Sequence, residues 1–221
     1  MDGAAIQQKV YAGYAKAAAI IGTSFDQYRP AGADSPLAAG NKVASILAAL
    51  DSSPSYGFHK PNEYGDATWY ALINASAIQA GDYITNGTGT YFVAAKQPLL
   101  PVLMVECTRT IRVVRQQLQA AVGAVGYGGL QTAAEVPVIG STDPATHWPA
   151  SILLGGGGGG QGLGLPGGVM PAGRRILLPP SVPVTLLAGD LVYDDLGRRF
   201  IITAPELTEL GWRINATEVH A

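Results

Sequence analysis

Ala80-Gly81-Asp82-Tyr83-Ile84-Thr85 is followed by a turn at Asn86 to Gly89 and then by Tyr91-Phe92-Val93. Later in the chain, Ala188-Gly189-Asp190-Leu191-Val192-Tyr193 leads through a turn at Asp194 to Gly197 into Phe200-Ile201-Ile202. At a constant offset Gly81 falls on Gly189, Asp82 on Asp190, Gly89 on Gly197 and Phe92 on Phe200. Internal similarity decides architecture before other signals are weighed. Two copies are too few for a solenoid. They predict either two small β modules or two halves of one sheet system.

The strand assignments rest on β-branched and aromatic residues bounded by turn chemistry. Asn86-Gly87 predicts a tight hairpin turn, in which both central residues need φ > 0. Asp82 and Asp190 follow glycine at a strand entry. That is the place of a turn hydrogen-bonder, with a functional carboxylate pair as the alternative.

Outward from the repeat, Asp2 caps a predicted helix over residues 2 to 21. Its stripe is Ile6, Val10, Tyr14, Ala17, Ala18 and Ile21, at three- and four-residue steps. Its many alanines let another backbone approach, so the helix is expected on a partner subunit or on a β module. Residues 25 to 40 read as an extended, turn-rich segment, 41 to 52 as modestly helical, and 53 to 69 as loop. Gly155 to Gly160 form an unbroken glycine run, flanked by the apolar islands His147 to Leu154 and Arg174 to Pro180. The islands predict a long hairpin-like excursion with the run near its tip, either a flexible loop or an arm on another subunit. The fold class is therefore mainly β with an N-terminal helix (α+β), two related small β modules and a long Gly-rich excursion. The expected division is 1-52 helical, 53-115 first module, 116-180 Gly-rich arm and 181-221 second module.

Charged residues make up only 14% of the 221-residue chain, and 48% are hydrophobic. A surface with so little charge suits a chain that expects neighbours. The net charge of −2 predicts no broad basic field for nucleic acid. A local strip of Arg109, Arg112 and Arg115, with the pairs Arg174-Arg175 and Arg198-Arg199, reads first as a strand end and connector. The lone Cys107 rules out an intrachain disulfide and reads as a buried small hydrophobe. No stretch of membrane-spanning length is apolar throughout. Met1-Asp2-Gly3 lacks the features of a signal peptide, so a cytoplasmic start is expected.

Catalytic and cofactor motifs are not found. Gly162-Leu163-Gly164-Leu165-Pro166-Gly167 matches a dinucleotide fingerprint in letters, but no βαβ unit surrounds it and Pro166 breaks the helix it should open. No lysine-Ser/Thr pair follows a glycine run. His59, His147 and His220 are far apart, and one cysteine builds no zinc knuckle. Glu206 and Glu209 read as a solvated turn. Taken with Asp190, they are the only carboxylates offered to a hydrolase reading, with Trp69, Trp148 and Trp212 as sugar-stacking candidates or, preferably, core anchors. No cofactor and no metal are expected, and the chain is not expected to be an enzyme.

Met1-Asp2-Gly3 through Gln27-Tyr28-Arg29-Pro30-Ala31-Gly32 resembles the start of a group of tailed-phage and prophage structural proteins. So do Gly81-Asp82-Tyr83 with Gly89 to Ala95, Gln97 to Pro101, and the final stretch from Asp194 to Trp212. The arrangement is also similar to the small β-barrels of head–tail joining proteins. The resemblance implies a virion protein without catalytic residues, in a ring of about six or twelve copies at the head–tail neck or tail. Such a ring lines or seals the DNA channel, touches portal or other neck and tail proteins, and meets genomic DNA non-specifically. Ile6, Val10 and Tyr14 on the helix and Gly155, Gly156, Gly157, Gly158, Gly159 and Gly160 in the arm are the candidate subunit-interface residues. The alternatives are a capsid decoration or cement protein and, in another class, a glycan or cell-wall hydrolase.

Overall fold

The computed structural model describes residues 2–53, 65–118, 133–155 and 173–219. The chain is mainly β with one N-terminal helix. α1 (Gly3–Ile21) is followed by β1 (Thr23–Tyr28), β2 (Lys42–Asp51), β3 (Thr68–Ile73), β4 (Tyr83–Thr85), β5 (Thr90–Ala95) and β6 (Val102–Glu106). These six strands close into a barrel in the order β1-β2-β3-β6-β5-β4. The second half holds β7 (Arg109–Leu118), β8 (Ala133–Ile139), β9 (Trp148–Leu154), β10 (Gly173–Leu178), β11 (Leu191–Asp194), β12 (Arg199–Thr208) and β13 (Gly211–Val219). Its order is β11-β12-β13-β10-β9-β7-β8, closed by β11 pairing with β7.

The second barrel repeats the topology of the first. β8 and β9 lie on the same side of β7, opposite β11, because Val113 pairs with both Ile139 and Val192 while Ile111 pairs with both Trp148 and Asp194. Together they stand where β2 stands in the first barrel. The irregularities recur as well. The β1–β2 ladder shifts register between Gln27 and Tyr28, and the β7–β8 ladder between Val113 and Val114. The β5–β6 ladder shifts between Val93 and Ala95, and the β12–β13 ladder between Ile202 and Ala204. Bulges bend strands, and a closed small barrel needs its bends at fixed places.

Several expectations change here. Residues 41 to 52 form a strand rather than a helix. Val43, Ser45 and Leu47 alternate with Ala44, Ile46 and Ala48, and Ala48 and Ala49 are both buried because α1 covers this end of β2. Gly22 passes so close that a Cβ would sit 2.8 Å from the Ala48 carbonyl oxygen. Packing overrides the helix preference of alanine and leucine. The first module starts at Thr23, not at residue 53, and the second at Arg109, not at 181. Much of the expected Gly-rich arm, 116 to 180, is therefore barrel wall. Within it the two apolar islands do pair as an antiparallel hairpin, β9 with β10.

The offset between the repeats is not constant. Ile84 pairs with Tyr91, whereas Val192 pairs with Phe200, so the second turn holds one more residue. Phe92 thus corresponds to Ile201, not Phe200. Nor is Asn86-Gly87 the two-residue turn expected. Gly87 has φ +81°, but Asn86 is not at positive φ, and Thr85 pairs with Thr90 across a four-residue connection. The Asn86 side chain instead accepts from the Thr88 and Gly89 amides at 3.1 and 3.0 Å.

The barrels share a core. One apolar cluster fills the first barrel, with Phe25, Ile73, Ile84, Val93 and Met104. The other fills the second and continues onto the outer face of the first, at Tyr83, Phe92, Ala94 and Val105. Tyr83 is the joint. It meets Trp148 and Phe92 edge-on at centroid distances of 6.2 and 6.3 Å, and its hydroxyl donates to the Pro149 carbonyl at 2.7 Å. Trp148 Nε1 donates across the same seam to the Ala33 carbonyl at 2.6 Å, and Ser181 Oγ to the Gly81 carbonyl at 2.8 Å.

Burial holds the Tyr83 phenol well above its ordinary value of 10.0, and burial likewise raises the nearby Cys107 thiol above 9.0. In the unfolded chain both lose protons near their ordinary values, while the folded chain keeps them. Stability is therefore complete below about pH 9 and falls as the pH rises beyond it. Urea titrations from pH 7 to 11 should show this decline. Tyr83→Phe should lower stability at pH 7 by about 1–2 kcal/mol, because the Pro149 carbonyl loses its donor, and should flatten the alkaline slope.

Candidate functional site

Each Gly-Asp turn is gripped by an arginine of its own barrel, Arg115 within β7 and Arg29 one residue past the end of β1. Gly81 and Gly189 adopt φ +91° and +92°, the left-handed region that favours glycine. The turn folds the following carboxylate back onto the chain. Asp82 accepts from the Gln79 amide at 2.9 Å, and Asp190 from the Leu187 amide at 2.8 Å. Arg29 binds both oxygens of Asp82 at 2.8 Å, and its guanidinium also donates to the Ala77 carbonyl at 2.9 Å. Arg115 does the same to Asp190 at 2.7 and 2.9 Å, and to the Thr185 carbonyl at 2.9 Å. Bidentate pairs of this kind fix geometry as well as charge. Gln27, fully buried, adds a third grip on Asp82 at 2.7 Å that its counterpart Val113 cannot supply. Asp82 and Asp190 are thus structural, 1% and 2% exposed, each in its own clamp. The turn reading of the two aspartates holds, and Asp190 drops out of the hydrolase candidates.

Apart from the clamps, a cleft of 550 Å³ opens between the barrels. One wall is Thr68, Phe92, Ala94, Leu103 and Val105 of the first barrel. The other is Leu177 and Leu178 of β10 with the β12–β13 turn from Thr208 to Arg213. The lining is predominantly apolar. Trp212, only 6% exposed, lines it with an indole N–H that has no acceptor. Leu210 is 46% exposed at the rim. Glu206 pairs with Arg213 across the hairpin at 2.5 Å, while Glu209 is exposed and makes no ion pair among the described residues. The sequence reading missed this cleft, since its two walls lie about a hundred residues apart.

The remaining candidates are dispersed. Ile6, Val10 and Tyr14 are half-buried on α1, which lies on β2 and β3 of its own barrel, and Tyr14 donates to the Leu99 carbonyl at 3.3 Å. Gly155 continues the β9–β10 pairing, its amide donating to Gly173 at 2.8 Å. Gly156 to Gly160 lie outside the described residues, as do His59 and His220. His147 Nε2 is 3.1 Å from the Ser141 carbonyl. The arginine strip is divided among separate partners. Arg109 faces Asp195 at 3.6 Å, Arg115 is clamped, and Arg112 and Arg199 stack on Tyr193 at 4.2 and 5.8 Å. Of the tryptophans, Trp148 is fully buried and Trp69 donates to Glu106 at 2.9 Å, as core anchors do. Among the described residues no three His, Cys, Asp or Glu side chains are placed to hold a metal ion, and no helix is long and apolar enough to cross a membrane.

Compared with known protein families, curated proteins and solved structures, the chain matches none.

The two clamps differ in one respect that a measurement can read. Asp190→Ala removes the bidentate pair but leaves Arg115, about a third exposed, to water. The expected loss is about 2–3 kcal/mol of unfolding free energy. Asp82→Ala also leaves the buried Gln27 Nε2 with only its 3.4 Å bond to the Ala77 carbonyl and should cost about 1 kcal/mol more. Chemical denaturation of the two variants side by side checks the order.

Proposed function

We propose that the protein is a structural component of a tailed-phage virion, built into a ring at the head–tail neck or in the tail. The observation that carries this reading is the surface of the twin barrel. On a chain with 14% charged residues, Ile20, Ile21, Val43, Leu47, Leu207 and Leu210 stand between 46% and 83% exposed, and an apolar cleft opens between the barrels. Exposed apolar side chains beside an apolar cleft suit a chain that meets neighbours. The duplicated barrel, joined by a common core, is one unit that can stand beside its own copies. The resemblance of the N-terminal stretch, of Gly81-Asp82-Tyr83 with Gly89 to Ala95, and of Asp194 to Trp212 to phage structural proteins supports the setting. In a head-to-tail ring each subunit buries two different faces, so a low-charge surface is tolerated there.

Stoichiometry tests the reading. Mass spectrometry of separated heads and tails from purified particles should find about six to twelve copies in the neck or tail fraction, as closed ring symmetry requires. Hundreds of copies on heads would replace the ring by a decoration role. Absence from particles would overturn the virion reading altogether.

A further inference from the structure

Two unlike surfaces of this chain complement one another. The first is the end of α1. Ile20 and Ile21 are 83% and 63% exposed. Lys16, one turn before Ile20 and on the same side of the helix, is exposed and makes no ion pair among the described residues. The second surface is the inter-barrel cleft, where Leu210 and Trp212 give an apolar wall and the exposed Glu209 makes no ion pair among the described residues. Apolar surface on one matches apolar surface on the other, and an unpaired ammonium matches an unpaired carboxylate. No residue of α1 lines the cleft of its own chain. Because both halves of the match lie on one chain, the occupant it selects is a second copy.

We propose that the C-terminal end of α1 from one copy, carrying Lys16, Ile20 and Ile21, docks in the inter-barrel cleft of the next. Knob and socket are different patches, so the contact is heterologous. Each copy offers a free knob and a free socket until a ring closes. The inference rests on the ring reading and names the surfaces that would make it.

The test uses the full-length protein with Ile20→Asp and Leu210→Asp, read by size-exclusion chromatography with light scattering. The wild type should form a closed oligomer, and each variant alone should be monomeric, with an unchanged circular-dichroism spectrum and a cooperative unfolding transition. Mixed in equal amounts, the two variants should form a capped heterodimer, because one keeps its socket and the other its knob. Lys16→Glu should weaken assembly, and Glu209→Lys in the same chain should restore it. A wild type that oligomerises while both variants do so equally well would overturn this contact and leave the ring standing. A wild type that stays monomeric at high concentration would overturn both. Two monomeric variants that do not combine when mixed would overturn the knob-and-socket pairing.

Discussion

The Asp82 carboxylate is the point on which the architecture turns. It is buried, and it is held by the Gln79 amide, by Gln27 and by both arms of the Arg29 guanidinium. A carboxylate removed from water costs several kcal/mol unless it is paired and fully hydrogen-bonded. Here that demand draws the first strand of the barrel to the fourth. The same grip fixes the left-handed turn at Gly81, and the next residue, Tyr83, is thereby aimed outward from the first barrel into the second. The clamp of Asp190 by Arg115 repeats the arrangement in the second barrel.

What Tyr83 meets sets the rest of the molecule. Its ring packs on Trp148 and its hydroxyl on the Pro149 carbonyl, so the barrels join through a shared apolar cluster rather than a linker. The difference between the repeats follows from this asymmetry. Phe92 faces the seam and is 1% exposed, while its counterpart Ile201 faces outward and is 36% exposed. The one-residue difference in the turns keeps Val93 and Ile202 at corresponding inward positions. The cleft lies where the seam opens, and its walls inherit their spacing from the same packing.

Much of this was legible in the sequence, and the rest was hidden for physical reasons. The Gly-Asp turns announced themselves because a left-handed backbone and a turn-bonding carboxylate each restrict residue choice. The strands β1 and β7 did not, since a barrel wall asks only for alternation of suitable side chains. Their common signal was a single arginine, Arg29 and Arg115, whose role depends on an aspartate distant in sequence. β2 was misread because alanines packed beneath a helix look helical themselves. The interruption between β8 and β9, together with the glycine run beyond them, disguised barrel wall as an arm. The cleft left no trace at all, because it exists only between two walls brought together by folding.

Two barrels of one design share a common core, which should lock them into one cooperative unit. Native-state hydrogen exchange read strand by strand tests it most directly, because exchange reports the free energy of the opening that exposes each amide. The best-protected amides of β4 and β5 and those of β11 and β12 should exchange with the same opening free energy, equal to that of global unfolding. Protection in one barrel that collapses well below the other, with the second barrel still closed, would contradict it.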